Sequence, residues 1–345
     1  EQHESLGARQ RRRRVERYVA YGVDRLLQFY AKRANPEARA TLISDGLANF
    51  FDESTGVSYV LPYRPGSKAK VFLLPENNIE IKNVLKYSSE NNINIFFIGS
   101  GSNLLISDNG FDGILISLKK TFKQIEFSEN GDIVVGAGVM LGHMVKEAIK
   151  RGFKGLESLV GVPGTLGGAL FMNAGAYGSE ISNYLISIKV IDLNGNEKTY
   201  NKEDINFSYR FSSISKTEIV IEAKFKFKKG NLDEIVTNKS NAAQKRRQNQ
   251  PLQYRSAGSV FKNPSSGFAA GYLIDKSDLK GMRIGDAEIS SKHANFIINH
   301  GNSSSDDILK LIKIIKTTVK KKFNISLELE VKLLGFTSNE LEGIA

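Results

Sequence analysis

The segment from Val162 to Gly178, which reads VPGTLGGALFMNAGAYG, limits how this chain can fold more than any other feature of the sequence. From Gly152 to Gly178, eight of 27 positions are glycine, about three times the share expected from 31 glycines in 345 residues. Because no Cβ atoms stand in the way, the main-chain N–H groups of such a segment can approach an anion closely. We therefore expect Val162–Gly178, the second glycine loop, to bind a phosphate-bearing ligand through its backbone.

A shorter glycine-rich segment, Gly99–Asn103, precedes it and is called here the first glycine loop. It follows the apolar run Ile95–Ile98 and leads into Leu104–Ile106. A dinucleotide-binding Rossmann motif needs a third glycine and a following helix, but here Asp108-Asn109-Gly110 marks a turn instead. We interpret the first glycine loop as an anion-binding loop between two strands. Two such loops, each beside a buried strand, favour a divided site for a cofactor with a phosphate part and a ring part.

The composition excludes several classes of protein. A chain of 345 residues is too long for one compact core and suits two or three domains. It contains no cysteine, which excludes disulfides, thiolate nucleophiles and cysteine-ligated metals, so we predict no metal site and a reducing, cytoplasmic environment. No apolar run reaches the roughly 18 residues of a membrane span. We expect a soluble protein without a membrane partner.

The charge is unevenly distributed. Of the net charge of +11, nearly half comes from the first 34 residues, where nine Lys and Arg oppose four Asp and Glu. The remainder is mildly basic, which suits an enzyme with anionic substrates better than a nucleic-acid partner. An RNA-binding arm at Arg11–Arg14 is the rival hypothesis, and it predicts binding that weakens steeply with salt.

Hydrophobic periodicity predicts a mixture of helices and strands. Strands are expected at 71–74, 93–98, 114–118, 133–135, 186–190 and 219–227, and helices after Pro75, at 141–149, at 231–248 and from about Asp306. Asn194-Gly195 predicts a type I′ hairpin turn. Strict alternation of apolar and polar residues from Ile325 to Leu333 predicts a terminal strand.

The segment from Ala257 to Pro264 places a hydroxyl, an ammonium and an amide close together, at Ser259, Lys262 and Asn263. None of the four histidines stands in a recognisable triad, so Ser259 suits a proton donor better than a nucleophile. By residue type alone, Glu330 would be a solvated strand carboxylate. Tyr209-Arg210 would likewise be a surface pair.

Five motifs together resemble those of the UDP-N-acetylenolpyruvoylglucosamine reductases. They occur in the family's order and rough spacing, as Gly99-Ser100-Gly101-Ser102-Asn103-Leu104-Leu105, Val162–Gly168 with Asn173–Gly178, Ser208-Tyr209-Arg210, Gly258–Pro264 and Leu329-Glu330-Val331. The resemblance runs from about residue 68 to 336. Since 49 positions separate Arg210 from Ser259, the chain is similar to the shorter subtype. It departs from the family at Ser67, where the family has a glycine.

The resemblance implies an α+β fold, with a vanillyl-alcohol-oxidase-like (PCMH-type) FAD-binding domain of two α+β subdomains and a C-terminal α+β substrate-binding domain. The implied divisions are a basic helical extension at 1–50, the two FAD-binding subdomains at 51–120 and 121–230, and the substrate-binding domain at 231–345.

The resemblance also implies non-covalently bound FAD, NADPH as co-substrate, and reduction of UDP-N-acetylglucosamine enolpyruvate to UDP-N-acetylmuramate in peptidoglycan precursor synthesis. The implied FAD-binding residues are Gly99, Ser100, Gly101, Ser102, Asn103, Leu104, Val162, Pro163, Gly164, Thr165, Gly167, Gly168, Asn173, Gly175, Ala176 and Tyr177.

For the reaction itself, the resemblance implies that Ser259 donates a proton while Arg210 and Glu330 stabilise the developing negative charge. It places Tyr209, Lys262 and Asn263 against the nucleotide-sugar. By its charge, the basic run Lys245–Arg247 could contact a diphosphate. The alternative is an FAD-dependent sugar-acid or lactone oxidase of the same fold, which would share the glycine loops but not the Ser259 and Glu330 motifs.

Overall fold

The computed structural model describes residues 69–344, and the structural statements below concern that part of the chain. The helical extension expected at 1–50 and the motif around Ser67 lie outside it. Strands, in chain order, are β1 (Ala69–Leu73), β2 (Ile95–Ile98), β3 (Leu104–Ile106), β4 (Phe111–Ser117), β5 (Ile125–Phe127), β6 (Asp132–Gly136), β7 (Phe153–Lys154), β8 (Gly175–Ala176), β9 (Ser179–Glu180), β10 (Leu185–Asp192), β11 (Glu197–Asn201), β12 (Phe207–Ser208), β13 (Phe211–Ser212), β14 (Glu218–Lys226), β15 (Lys228–Lys229), β16 (Arg283–Ile284), β17 (Ala287–Ile289), β18 (Ile297–Asn299) and β19 (Lys332–Leu334).

The α-helices are α1 (Asn78–Glu90), α2 (Leu141–Lys150), α3 (Leu166–Phe171), α4 (Leu232–Asn249), α5 (Ala270–Asp275) and α6 (Ser305–Phe323). Within residues 69–344, none of them combines the length and the apolar character needed to cross a bilayer.

The first sheet is parallel and has the order β1-β4-β2. Its central strand is buried on both faces, because Ile114 and Ile116 pack into one apolar cluster and Leu115 into another. Helix α1 covers one face with Ile81, Val84 and Leu85.

The second sheet is antiparallel, with the order β11-β10-β14-β6-β5. The apolar face of α2, including Leu141 and Met144, packs into the core that this sheet lines. Ile219 and Ile221 of β14 belong instead to the cluster formed with α1. The two sheets therefore share apolar packing and position the loops between them.

The C-terminal part packs α5 and α6 against the antiparallel strands β16-β17-β18. Helix α6 begins with a capping box of Ser304 and Asp307 and buries one apolar stripe that includes Ile312 and Ile315. Strand β19 pairs in parallel with β3. Because β3 directly follows the first glycine loop, this pairing brings the C-terminal part of the chain to that loop.

The structure confirms the predicted strands and helices between 71 and 248, as well as the helix near Asp306. The type I′ turn is wrong, since that turn requires positive φ at both central residues and only Gly195 of the pair has it, at +84°. The hairpin instead closes over Asp192–Asn196, with the Gly195 N–H donating to the Asp192 carbonyl at 2.9 Å.

The predicted terminal strand is also shorter than expected. Only Lys332–Leu334 is a regular strand, preceded by an isolated bridge from Leu329 to Phe261. The segment changes partners along its length, pairing first with the Phe261 region and then with β3, so no single ladder runs through it. The domain divisions given above stay a prediction.

Candidate active site

The two glycine loops pack directly against each other. A Cβ atom on Gly99 would lie 2.5 Å from Thr165 Oγ1, closer than any real contact allows. The Ser102 hydroxyl donates to the Pro163 carbonyl at 3.2 Å. Gly164 adopts a φ of +136°, which residues with side chains avoid. The two loops thus form one cradle, in which the close approach of Gly99 to the Thr165 side chain leaves no room for a Cβ atom.

Among the described residues, two polar groups of the cradle lack a partner, the Ser100 hydroxyl and the side-chain oxygen of Asn173. The Ser100 hydroxyl is shielded from solvent and has no hydrogen-bond partner among the described residues. Buried hydroxyls in native proteins nearly always have a partner, so an orphaned one indicates that a ligand supplies it. Together with the small residues around it, this hydroxyl fits the phosphate part of FAD.

Not every glycine amide of the second loop is available to a ligand. The Gly167 N–H donates to the Ala137 carbonyl at 3.0 Å, and the Gly168 N–H to Thr165 Oγ1 at 3.4 Å. A Cβ on Gly167 would lie 3.2 Å from the Ala137 side chain. Gly167 therefore serves close packing of the loop rather than donation to a bound anion.

Asn173 connects the second glycine loop to the next predicted motif. It is fully buried, and its side-chain amide donates to Glu180 Oε2 at 2.6 Å and to the Ser208 carbonyl at 3.0 Å. The short hairpin of β8 and β9 follows, with Tyr177 exposed at its tip. The end of the loop is thus fixed beside the strand that precedes Tyr209-Arg210.

Arg210 lies at the tip of the hairpin formed by β12 and β13, with a φ of +55°. Its Nε lies 2.7 Å from Glu330 Oε1, and its guanidinium lies 5.0 Å from the centre of the Tyr209 ring. A left-handed conformation is uncommon for a residue with a side chain, and such strain clusters at functional sites. The contact joins residues 120 positions apart in the sequence.

The interpretation of Glu330 as a solvated carboxylate is wrong. Its side chain is 14% exposed, and burial raises its pKa above the ordinary value, although the charge and hydrogen bond of Arg210 and the charges of Lys262 and Lys332 act in the opposite direction. The Asn103 side-chain amide donates to the Glu330 carbonyl at 3.0 Å. Glu330 is therefore held directly beside the first glycine loop.

The turn that carries Ser259 lies on the other side of Glu330. The Glu330 N–H donates to the Val260 carbonyl at 2.8 Å, and the Lys262 N–H donates to the Glu328 carbonyl at 2.9 Å. Ser259 is partly buried, and within residues 69–344 its hydroxyl forms no hydrogen bond with another residue. This hydroxyl is therefore free to donate to a bound molecule.

Asn295 holds the turn that carries Ser259, although no sequence pattern indicates it. It is 4% exposed, and its side-chain amide both donates to the Phe261 carbonyl at 2.8 Å and accepts from the Phe261 N–H at 2.9 Å. Its carbonyl also accepts from the Val260 N–H at 2.9 Å. A single asparagine 34 positions away carries no local signal of this contact, so only the structure reveals it.

The three residues predicted to bind substrate lie around the same turn. Tyr209 and Asn263 approach each other, with the Asn263 N–H 3.4 Å from the Tyr209 hydroxyl. Lys262 pairs with Glu328 at 3.0 Å. Asn263 Oδ1 accepts from the Ala270 N–H at 3.0 Å, and its amide nitrogen stays available as a donor. The glycine loops, the Arg210–Glu330 pair and the Ser259 turn thus lie in contact with one another.

Comparison with known proteins identifies two matching family models. Residues 69–200 match an FAD binding domain, and residues 250–334 match the C-terminal domain of UDP-N-acetylenolpyruvoylglucosamine reductase. The UDP-N-acetylenolpyruvoylglucosamine reductase of Clostridium novyi is 42% identical over 274 residues, covering 79% of this chain and 88% of that protein. Its counterpart from Clostridioides difficile is 41% identical over 276 residues, covering 80% and 90%.

A solved structure of a protein with the same function name also matches this chain. The crystal structure of UDP-N-acetylenolpyruvylglucosamine reductase from Thermus caldophilus superimposes with a TM-score of 0.70 at 34% identity, over 81% of this chain and 97% of that one. These matches confirm the predicted α+β fold, with a PCMH-type FAD-binding domain and a C-terminal domain.

Proposed function

This chain belongs to the UDP-N-acetylenolpyruvoylglucosamine reductase family, and on that premise we propose that it reduces UDP-N-acetylglucosamine enolpyruvate to UDP-N-acetylmuramate with bound FAD and NADPH. The observation that carries the proposal is the position of the Arg210–Glu330 pair. It lies between the first glycine loop, through Asn103, and the Ser259 turn, through Val260. We also propose a cytoplasmic location, because NADPH and nucleotide-sugars are metabolites of that compartment. We propose no nucleic-acid partner, because the chain beyond residue 34 is only mildly basic.

We propose that the two glycine loops hold the FAD. The orphaned Ser100 hydroxyl would donate to a phosphate oxygen, and the close contact of Gly99 with Thr165 would keep both loops at the distance that the cofactor needs. When bound, FAD supplies the hydride-carrying chemistry between NADPH and the enolpyruvyl group.

Arg210 and Glu330 would stabilise negative charge at the carbon that carries the substrate carboxylate. The guanidinium is fixed by its hydrogen bond to Glu330 and by the Tyr209 ring, so it needs no reorganisation when charge develops. A preorganised donor of this kind contributes roughly 3 kcal/mol to lowering a barrier. Burial raises the pKa of Glu330, so its protonated form is more accessible than that of an exposed glutamate and could itself donate a hydrogen bond to the developing anion.

Ser259 would supply the proton that completes the reduction. Its hydroxyl forms no hydrogen bond within the described part of the chain, and the turn is held against the backbone of Glu330. Tyr209, Lys262 and Asn263 would position the nucleotide-sugar so that its vinyl carbons lie near the hydroxyl. General acid catalysis by a positioned side chain typically contributes a factor of about 10² to 10⁴ in rate.

The two half-reactions separate these roles experimentally. We expect Ser259→Ala to accept electrons from NADPH within about twofold of the wild-type rate, but to pass them to UDP-N-acetylglucosamine enolpyruvate about 10² to 10⁴ times more slowly. Anaerobic rapid mixing, followed by the visible absorbance of the flavin, measures both steps. Ser265→Ala, an exposed serine in the same segment, is the matched control. Equal loss in both half-reactions would contradict the proton-donor role.

A further inference from the structure

Arg246, in the last turn of α4, is a cation without a partner in the part of the chain that the structure describes. Its Nε is shielded from solvent and has no hydrogen-bond acceptor, and within residues 69–344 its guanidinium forms no ion pair. Burial lowers the pKa of Arg246, and the group whose charge opposes this effect is the Tyr177 hydroxyl rather than a carboxylate. The side chain is partly exposed, but a shielded N–H donor without an acceptor is uncommon in native proteins and calls for an explanation.

The surroundings of Arg246 indicate where a partner would lie. A Cβ on Gly161, just before the second glycine loop, would come within 3.3 Å of Arg246 Cδ and 3.6 Å of its Nε. Lys245 Nζ lies 5.9 Å from the centre of the Tyr177 ring, at the far end of the same loop. The end of α4 therefore places two positive charges against a loop assigned above to a nucleotide cofactor.

Two further polar groups, one in α4's C-terminal cap and one in a turn against α4, also lack a hydrogen-bond partner among the described residues. Helix α4 packs against the short helical turn Glu157–Leu159, in which the Ser158 hydroxyl is buried and unsatisfied. Gln250, the residue that caps α4, has a buried side-chain oxygen without a donor. Buried polar groups without a partner are rare in native proteins, so each of these groups calls for an explanation.

Stabilisation of the helix end does not explain Arg246. Cations in the last turn of a helix do interact favourably with its dipole, and Arg247 occupies the same turn. Arg247, however, is exposed to solvent, whereas Arg246 carries the cost of burial as well. The difference between these neighbours requires a second role for Arg246.

We propose that Arg246 binds a phosphate oxyanion of a nucleotide diphosphate at the edge of the second glycine loop. A guanidinium matches the geometry of phosphate oxygens and is weakly hydrated, which suits a partly buried anion site. The inference rests on the proposed function, because that function supplies two diphosphates that could occupy the position. One belongs to FAD and the other to the nucleotide-sugar.

Two binding measurements distinguish these sources. Titration of the flavin-free protein with FAD, followed by quenching of flavin fluorescence, gives the dissociation constant for the cofactor. Titration of the flavin-loaded protein with UDP by calorimetry gives the dissociation constant for the nucleotide. Arg246→Gln is expected to weaken one of the two by about tenfold to 150-fold at low salt, the range for a hydrogen bond to a charged group. Lys321→Gln, an exposed cation in the last turn of α6, is the control and is expected to change neither by more than about twofold.

Each outcome decides a specific point. Weaker FAD binding assigns the phosphate to the cofactor, and weaker UDP binding with normal FAD affinity assigns it to the nucleotide-sugar. Arg246→Lys should recover part of the loss, because it keeps the charge without the planar fork. If circular dichroism shows that Arg246→Gln is folded and it binds both ligands like the wild type, this inference is overturned and the proposed function is not. A folded wild-type protein that binds neither ligand would overturn the proposed function and this inference together.

Discussion

The pKa of the buried carboxylate of Glu330 reflects two opposing effects, burial and the contact with Arg210. Burial raises its pKa above the ordinary value of about 4.5, even though Arg210 lies 2.7 Å away. The desolvation effect therefore outweighs the attraction of the ion pair, as is common when a carboxylate leaves water. Removing either partner would leave the other buried and uncompensated.

The raised pKa of Glu330 predicts a definite sign for the dependence of stability on pH. The protonated form is favoured in the folded state, so the contribution of Glu330 is fully present below the ordinary glutamate pKa and is lost as pH rises through the folded pKa. Glu330→Gln stays neutral throughout. From pH 4.5 upward, we expect the free energy of unfolding of the wild type to fall relative to that of Glu330→Gln, measured by urea titration at each pH. If the free energy of unfolding of the wild type instead rises relative to that of Glu330→Gln over this range, the pKa of Glu330 is not raised.

Asn295 allows a second prediction about a single residue. Replacing it with alanine would leave the N–H and carbonyl of Phe261 buried without partners, at a cost of about 2 to 4 kcal/mol in the free energy of unfolding. Because these bonds hold the turn of Ser259, the electron transfer to the nucleotide-sugar should also slow more than reduction by NADPH does. Urea unfolding and the two half-reactions measure these effects.

Asn302→Ala, at an exposed position of the same part of the fold, serves as the control for Asn295→Ala. It is expected to change the free energy of unfolding by less than about 0.5 kcal/mol. Equal slowing of both half-reactions by Asn295→Ala would show that the residue acts on folding alone.

At the scale of the element, the two glycine loops act as one unit because they touch. The sequence predicted both loops, since glycine density and flanking apolar runs are local signals. It predicted a continuous strand over Ile325–Leu333 incorrectly, because alternation reports which residues face the core and not which partner each backbone group finds. The pairing of β19 with β3 joins segments too distant for a local pattern to indicate.

The contact between the loops can be tested by adding one carbon atom. Gly99→Ala would place a Cβ 2.5 Å from Thr165 Oγ1, so the loops must separate. We expect its dissociation constant for FAD to rise at least about tenfold, and the double variant Gly99→Ala with Thr165→Ala to bind FAD more tightly than Gly99→Ala alone, because the clashing oxygen is gone.

Gly142→Ala is the matched control for Gly99→Ala. Gly142 lies in helix α2, and a Cβ there would meet no atom within 4 Å. Alanine at a helix position without a clash should leave FAD affinity unchanged and keep or slightly raise stability. If Gly99→Ala binds FAD as tightly as this control, the loops do not need their observed spacing.

At the scale of the whole molecule, residues from distant parts of the sequence form one site. Arg210 is on a hairpin between β11 and β14 of the second sheet, Glu330 precedes the last strand, and Ser259 lies on the turn that Asn295 holds. Family motifs predicted that these residues would act together. Residue patterns alone could not predict the burial of Glu330 or the role of Asn295, because both arise from packing across more than 30 positions of sequence.

The most direct test of this account is the visible spectrum of the purified protein during one anaerobic turnover. We expect a yellow protein that carries FAD, loses its visible absorbance when NADPH is added, and regains it when UDP-N-acetylglucosamine enolpyruvate follows. A folded protein that stays colourless with added FAD, or whose reduced flavin this nucleotide-sugar does not reoxidise, would contradict the account.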